Sequence, residues 1–243
     1  MSEHRSAAEE RSSIGGSEHR SAAEERSSIG GSEHRSAGRL IALEGGEASG
    51  KSTQARLLAA RLGAVLTREP GATSLGRRIR DMVLDPDTGD LDPRAEALLM
   101  AADRAQHVLE VVAPALADGR DVVTDRYSGS TLAYQGYGRG LDVADLARLS
   151  GWASRGLEPQ LVVLLDVAPA VTEDRQVDRS LDRLEATGRS FHDRVRDGYR
   201  ALAAADPDRW AVVDGAGTED EVAGRVWRVV SDRAGRADQV GRM

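Results

Sequence analysis

The stretch Ile41–Gln54 reads I-A-L-E-G-G-E-A-S-G-K-S-T-Q, and it decides the fold. Inside it Gly45 is followed by four residues and then Gly50, Lys51 and Ser52, the G-x-x-x-x-G-K-S spacing of a phosphate-binding loop. Each slot has a physical reason. The glycines let the backbone turn tightly, so that successive N–H groups converge on one anion. The helix that follows adds the positive end of its dipole. A lysine at position 51 reaches the β- and γ-phosphates, and the Ser52 hydroxyl ligates Mg²⁺. Lys51 is also the only lysine in the chain, against a background of arginine. A compact ammonium on a flexible stem suits this slot better than a planar guanidinium. A chance glycine-rich turn is the competing reading. The apolar strand pattern before it and the helical pattern after it argue against chance.

Outward from the loop, strands and helices alternate. Leu40–Leu43 reads as a buried parallel strand feeding the loop, and Lys51–Leu62 as a helix stopped by Gly63. Ala64–Thr67 is a second strand, entering the R-E-P-G-A-T turn at Arg68–Thr73. Helices are expected over Ser74–Leu84 and from Pro93 toward Leu116, the latter with Asp92 as N-cap and Glu96 three residues in. Asp121–Asp125 is a strand; Arg126–Gly140 holds too many glycines for one regular element. A helix over Leu141–Gly156, the strand Leu161–Leu165 ending at Asp166, a charge-dense stretch Pro169–Ser190, a helix Phe191–Ala205, the strand Trp210–Val213 and a helix Thr218–Ala234 complete the chain. The alternation predicts an α/β fold, a doubly wound parallel sheet of five strands flanked by helices.

Residues 1–38 are different. S-E-H-R-S-A-A-E-E-R-S-S-I-G-G runs from Ser2 to Gly16, repeats from Ser17 to Gly31, and starts again at Ser32. Each copy offers one large apolar residue, Ile14 or Ile29, too little to stack into a solenoid. His4, His19 and His34 recur every fifteen residues, but a disordered polar tail is favoured over a metal site. The expected organisation is thus a tail over 1–38, one phosphate-loop domain over 39–236 and a flexible C-terminus over 237–243.

Bulk properties limit the function classes. The 243 residues carry no cysteine, which fits a reducing compartment and excludes thiolate metal sites. No run approaches 18 apolar residues and no signal-peptide core is present, so a cytoplasmic protein without a membrane partner is expected. A net charge of −7 argues against a nucleic-acid partner.

Around the loop, Arg68 follows the second strand, Asp125 and Arg126 close the third, and Arg104 lies on the helix between them. Arginines at strand ends suit bidentate phosphate binding, and a neighbouring carboxylate can position Mg²⁺. The chain resembles the thymidylate kinase family over nearly all of residues 39–234. The resemblance rests on E-G-G-E-A-S-G-K-S-T (Glu44–Thr53), R-E-P-G-A-T (Arg68–Thr73), A-A-D-R-A-Q-H (Ala101–His107), D-R-Y-S-G-S-T-L-A-Y-Q-G (Asp125–Gly136), P-Q-L-V-V-L-L-D-V (Pro159–Val167) and D-R-L-E (Asp182–Glu185).

The resemblance implies a P-loop kinase fold with a mobile lid that transfers the γ-phosphoryl of ATP to dTMP with Mg²⁺, as a homodimer. ATP would lie on Gly45, Gly46, Glu47, Ala48, Ser49, Gly50, Lys51, Ser52 and Thr53, and Ser52 and Asp125 would hold the metal. Arg68 and Arg126 would grip the dTMP phosphate, Glu47 the sugar 3′-hydroxyl, and Arg104 and Thr131 the thymine edge. Tyr134 would crowd the 2′ position, with Gln135 alongside. Three departures stand out. Met100 occupies the slot where the family usually stacks an aromatic on thymine; a core methionine is the alternative there. Ala72 replaces a glycine. The loop contains no arginine, so the lid must supply one: Arg175 and Arg179 are the expected pair, with Arg183 next in line and a solvated charged face as the alternative. Two other functions remain open, a P-loop kinase for another nucleoside monophosphate or deoxynucleoside, and a nucleotide-binding interaction protein without transferase activity.

Overall fold

A computed structural model describes residues 37–168, 171–172 and 182–240. The expectations for residues 1–36 and for Arg175 and Arg179 fall outside these residues.

Five parallel strands form one sheet in the order β2-β3-β1-β4-β5: β1 Leu40–Glu44, β2 Val65–Arg68, β3 Val122–Asp125, β4 Leu161–Asp166 and β5 Trp210–Asp214. The apolar runs are continuous because both faces are covered. Successive residues point to opposite sides. Ile41, Leu43, Val123, Val163 and Leu165 pack with Leu58 of helix α1 (Lys51–Leu62) and with Val222, Val226 and Val230 of the last helix. Leu40, Ala42, Val122 and Val162 pack on the other face against Val108, Val112 and Ala115. The expected doubly wound sheet is the observed one.

The strand order also locates the site. From β1 the chain crosses toward β2, whereas from β3 it crosses back toward β4, so the connections diverge between β1 and β3. Ligands of open α/β sheets bind in that crevice, beyond the carboxyl ends of the strands. In register there, Leu43 lies opposite Asp125, and Arg68 opposite Asp125 on the other side.

Helix α2 spans Ser74–Leu84, with the Thr73 side chain accepting from the Gly76 N–H. Helix α3 (Pro93–His107) starts as expected, Asp92 accepting from the N–H groups of Arg94 and Ala95. Glu96 does not turn back to the cap but points inward and is fully buried. The expected single helix to Leu116 is interrupted by a wide π-type turn at Val108–Val112 before α4 (Ala113–Ala117). Pro114 explains it: the residue lacks an N–H, and its ring crowds the Glu110 carbonyl one turn earlier.

The stretch 126–140 corrects the sequence reading. It is helical from Ser128, as α5 (Ser128–Thr131) continuing into a π-type turn at Leu132–Gly138. Its glycines permit close packing. A Cβ on Gly129 would lie 2.8 Å from Glu44 Oε1, and one on Gly138 would lie 2.6 Å from the Phe191 ring. Beyond it come α6 (Val143–Ala153), α7 (Arg189–Ala205) and α8 (Glu219–Val240), the last extending past the expected end at Ala234. Among the described residues no helix is long and apolar enough to cross a membrane.

Gly138→Ala should therefore overpack the contact with α7, costing ~1–3 kcal/mol and lowering Tm by several degrees. A thermal melt matching the wild type would show that Phe191 can move aside freely.

Candidate active site

The loop after β1 is bent by positive φ at Gly45, Ala48 and Gly50. Gly50 precedes α1 without a capping side chain. The first N–H groups of α1 thus lack a side-chain acceptor and face the position of an anion. Lys51 is buried, its Nζ donating to the Gly46 carbonyl at 2.5 Å and to Ser49 Oγ at 3.2 Å. Burial, followed by the nearby Arg126 guanidinium, pulls its pKa down to about 8.

Arg126 follows β3 with φ of 72°, a left-handed conformation costing a non-glycine residue ~1–2 kcal/mol. The turn is held by the Arg126 N–H on the Leu43 carbonyl and by Thr124 Oγ1 on the Arg126 carbonyl. It aims the guanidinium under the loop. There Nη1 donates to the Gly45 carbonyl, Ser130 Oγ and the Tyr199 hydroxyl, while Nη2 donates to Glu47 Oε1 at 2.6 Å and to the Tyr134 hydroxyl. Tyr134 gives its own proton to Glu47 Oε1 at 2.6 Å. Burial pushes the Glu47 carboxyl up, but Arg126, Lys51 and the Tyr134 hydroxyl outweigh it and hold the pKa at about 2. Behind Arg126, Glu44 accepts from Tyr127 N, Ser130 N, Ser130 Oγ and the Tyr199 hydroxyl; burial raises its pKa against those bonds.

On the outer side Ser52 Oγ donates to Asp125 Oδ2 at 2.5 Å, and Asp125 Oδ1 is buried with no hydrogen-bond partner among the described residues. A hydroxyl, a carboxylate and an unused buried oxygen fit a hard divalent cation. Among the described residues no cluster of three or more His, Asp or Glu could enclose one, so the remaining ligands would be phosphate oxygens and water.

A cleft of about 360 Å³ runs along this face, with Lys51, Ser52, Asp125, Arg68, Arg80 and Arg126 among its walls. Arg68 is exposed at the end of β2, and its side chain makes no hydrogen bond or ion pair among the described residues. Arg80 was missed in the sequence. It sits one turn after the buried Gly76 on α2, on the inward stripe, and donates to the Pro70 carbonyl at 3.1 Å. Burial and then Arg68 lower its pKa, outweighing the nearby Asp182 and Asp125 carboxylates. A smaller recess shares Glu47, Arg80, Arg126 and Asp182 with the cleft and is walled by Met100, Tyr134 and Gln135.

The thymidylate kinase family model matches residues 43–226. A thymidylate kinase of Synechococcus sp. (strain JA-3-3Ab) is 51% identical over 198 residues, 79% of this chain and 95% of that protein. One from Deinococcus radiodurans is 47% identical over 202 residues, 81% and 98% of the two chains. The chain belongs to the thymidylate kinase family. A crystal structure of thymidylate kinase from Ehrlichia chaffeensis superposes with a TM-score of 0.67 at 30% identity, covering 80% of this chain and 99% of that one.

Against the family pattern, the structure brings together Glu47–Thr53, Arg68, Asp125, Arg126, Tyr134, Gln135 and Met100 around one cleft and recess, while Gly45 and Gly46 do not line either. Arg104 and Thr131 do not line it. Arg104 is fully buried, donating to Glu69 at 2.9 Å, Ser150 at 3.1 Å and Thr131 at 3.0 Å. Met100 is both core and wall: only 6% exposed, packed with Ile79, Val83 and Tyr134, yet lining the recess. Arg183 does not line the cleft; it donates to the Val83 carbonyl at 2.7 Å and to Glu96. Tyr199 and Glu44 also went unread. The Phe191-Val195-Tyr199 spacing on α7 marked an inward stripe, but not that its tyrosine would end under the loop.

The Glu47 carboxyl has a folded pKa below its ordinary value of 4.5. Its contribution is therefore complete above that value and is lost as pH falls toward about 2. Glu47→Gln should cost on the order of 2–3 kcal/mol near neutrality, with the difference from wild type shrinking below pH 4 in urea titrations. A difference independent of pH would sink the ion-pair assignment.

Proposed function

We propose that this protein phosphorylates dTMP, transferring the γ-phosphoryl group of ATP to give dTDP and ADP. The observation that carries the reading is the half-buried Arg126 at the carboxyl end of β3, its guanidinium donating to the Gly45 carbonyl of the phosphate loop. Two clefts flank the loop. The one with Arg68, Arg80 and Arg126 suits the phosphate of the acceptor nucleotide. The other, lined by Thr53, Gln54, Gly215, Gly217, Thr218 and Val222 among others, has no basic side chain in its walls and suits the base and sugar of ATP. A triphosphate spanning the loop between them points its γ-phosphorus at the arginine cluster.

An oxygen of the dTMP phosphate attacks that phosphorus, the bond to the β–γ bridging oxygen breaks, and ADP leaves with the electron pair. The protein contributes position and charge. Arg126 and Arg68 hold the acceptor phosphate, and Arg80 joins them. Lys51 meets the β- and γ-phosphates, and the N–H groups of Gly46–Ser52 cradle them. Ser52 and Asp125 would hold Mg²⁺, which when bound neutralises the phosphate oxygens. Glu47 balances Arg126 and stands where the 3′-hydroxyl would come. Tyr134, its hydroxyl fixed by Glu47 and Arg126, crowds the 2′ carbon. Met100 lies under the base. Arg175 and Arg179 of the lid supply the charge that the loop lacks, and Arg183 serves as an anchor. The setting is the cytoplasm.

We also propose a homodimer. Helix α2 leaves Leu75 and Met82 in solvent, α3 leaves Leu98, and α6 leaves Trp152 80% exposed. These three helices are contiguous, α2 on α3 and α3 on α6. Large apolar side chains gathered on one side of a domain mark an interface. Leu98→Glu should convert the dimer to monomer in sedimentation; a wild-type protein that sediments as a monomer overturns the proposal.

A coupled ADP-release assay over a panel of nucleoside monophosphates tests the activity: dTMP should be the preferred acceptor, and Lys51→Ala should lower kcat by ~10²-fold or more. Lys51 gives a second, independent readout. With its pKa at about 8 before binding, the phosphates of ATP will raise it, so ATP binding near pH 8 should take up about half a proton. Calorimetry in buffers of different ionisation enthalpy measures that uptake. It should vanish below pH 6.5 and in Lys51→Met; an uptake that persists in the mutant places the proton on another group.

A further inference from the structure

We propose that Glu96, which touches neither substrate, is the positioning residue that makes the recess prefer thymine over cytosine, by fixing which end of the Gln135 amide faces the base. The proposal rests on the reading of the recess as the dTMP base pocket.

Glu96 is fully buried on α3, and its Oε1 accepts from Gln135 Nε2 at 2.8 Å. Its Oε2 accepts from Arg139 Nη2 at 3.2 Å and from Arg183 Nη2. A side-chain amide can offer a ligand either its oxygen or its nitrogen. A carboxylate flanked by two guanidinium groups only accepts, so it takes the nitrogen and turns the oxygen the other way. Gln135 lines the recess beside Met100 and Tyr134, and its Oε1 is buried with no hydrogen-bond partner among the described residues. A buried, unpaired acceptor at a cavity wall is a place for a donor. Thymine has a ring N–H at position 3; cytosine has a lone pair there. The fixed oxygen bonds the first and repels the second.

The carboxylate cannot swing away to relax this preference. Arg183 is itself tied to the end of α2, with its N–H on the Leu84 carbonyl at 2.9 Å and its Nε on the Val83 carbonyl at 2.7 Å. Arg139 stands over the Phe191 ring, 4.7 Å from its centroid. Glu96 is therefore held from two sides.

Glu96→Gln isolates the effect. Its one remaining oxygen will be taken by the two arginines, which leaves its NH₂ facing Gln135. Gln135 must then turn its oxygen toward residue 96 and its NH₂ into the recess. The ratio of kcat/KM for dTMP to that for dCMP should fall by about tenfold or more, with dCMP kcat/KM rising in absolute value and KM for ATP nearly unchanged. A merely structural role for Glu96 would lower both nucleotides together and would not create dCMP activity. Should Glu96→Gln not fold, Gln135→Asn takes its place, because the shorter amide loses Glu96 and is free to present either end; the same rise in dCMP use is expected. An unchanged ratio, or a loss on both nucleotides without any gain on dCMP, overturns the proposal. A wild-type enzyme that does not phosphorylate dTMP overturns instead the function on which it rests.

Discussion

A phosphoryl-transfer site has to hold its cations in place before the phosphates arrive, and that requirement shapes the region around β1 and β3. Lys51, Arg80 and Arg126 approach one another in a poorly solvated cleft, and unpaired buried charge is costly. The structure answers with stand-in anions. Glu47 takes the outer side of Arg126, Glu44 lies behind it, and Asp125 faces Lys51 and Ser52. Burial first, and then the neighbouring guanidinium charge, still hold Lys51 and Arg80 below their ordinary values. The negative charge of a triphosphate would offset both effects.

How much of this was legible in the sequence depends on what sets each residue's direction. Lys51 and Ser52 could be read from the spacing of the loop motif, and Arg68, Asp125 and Arg126 because they sit at or just beyond strand ends, where the parallel sheet points them into one crevice. Arg80 and Tyr199 could not, since a helical residue's target depends on how its helix docks. Arg104 shows the converse: its motif was visible, but its guanidinium is engaged by Glu69, Ser150 and Thr131 beneath the recess. The glycines of 126–140 were read as helix breakers because composition shows their freedom but not their neighbours. Gly129 against Glu44 and Gly138 against Phe191 are required by approach distance. The wide turn before Pro114 had a visible cause, though the run of apolar residues around it favoured one straight helix.

Beneath the cleft lies a polar layer that the strand-end pattern did not announce. Glu69 accepts from Arg104 and bonds His107 Nδ1, and His107 Nε2 bonds Thr67 Oγ1, all buried. Asp103 accepts from the Gly71 N–H, while burial and the Glu69 charge push its pKa up to about 6. These contacts lock the end of β2 and the turn after it to α3. Arg68 therefore leaves the sheet from a backbone fixed on both sides, by Asp125 in the sheet and by α3 below. A long free arginine on a rigid root loses less freedom when it meets a phosphate than one on a loose loop would.

Met100 brings the two demands, core and site, onto one side chain. On a helix that buries Ala97, Ala101 and Arg104, a residue at this position must fill volume between α2 and α7. It also forms the floor of the recess beside Tyr134. A flat ring would make a firmer platform for a base, but it must fit among Ile79, Val83 and Phe191 in a core already close-packed. The flexible thioether can meet both surfaces at once and still touch an aromatic face through sulfur. Core residue and base platform were opposed readings in the sequence; in the folded chain the one side chain both packs in the core and lines the recess, which is compatible with either. That explains why the slot can depart from an aromatic while Tyr134, Gln135 and Arg126 around it keep the site's polar geometry.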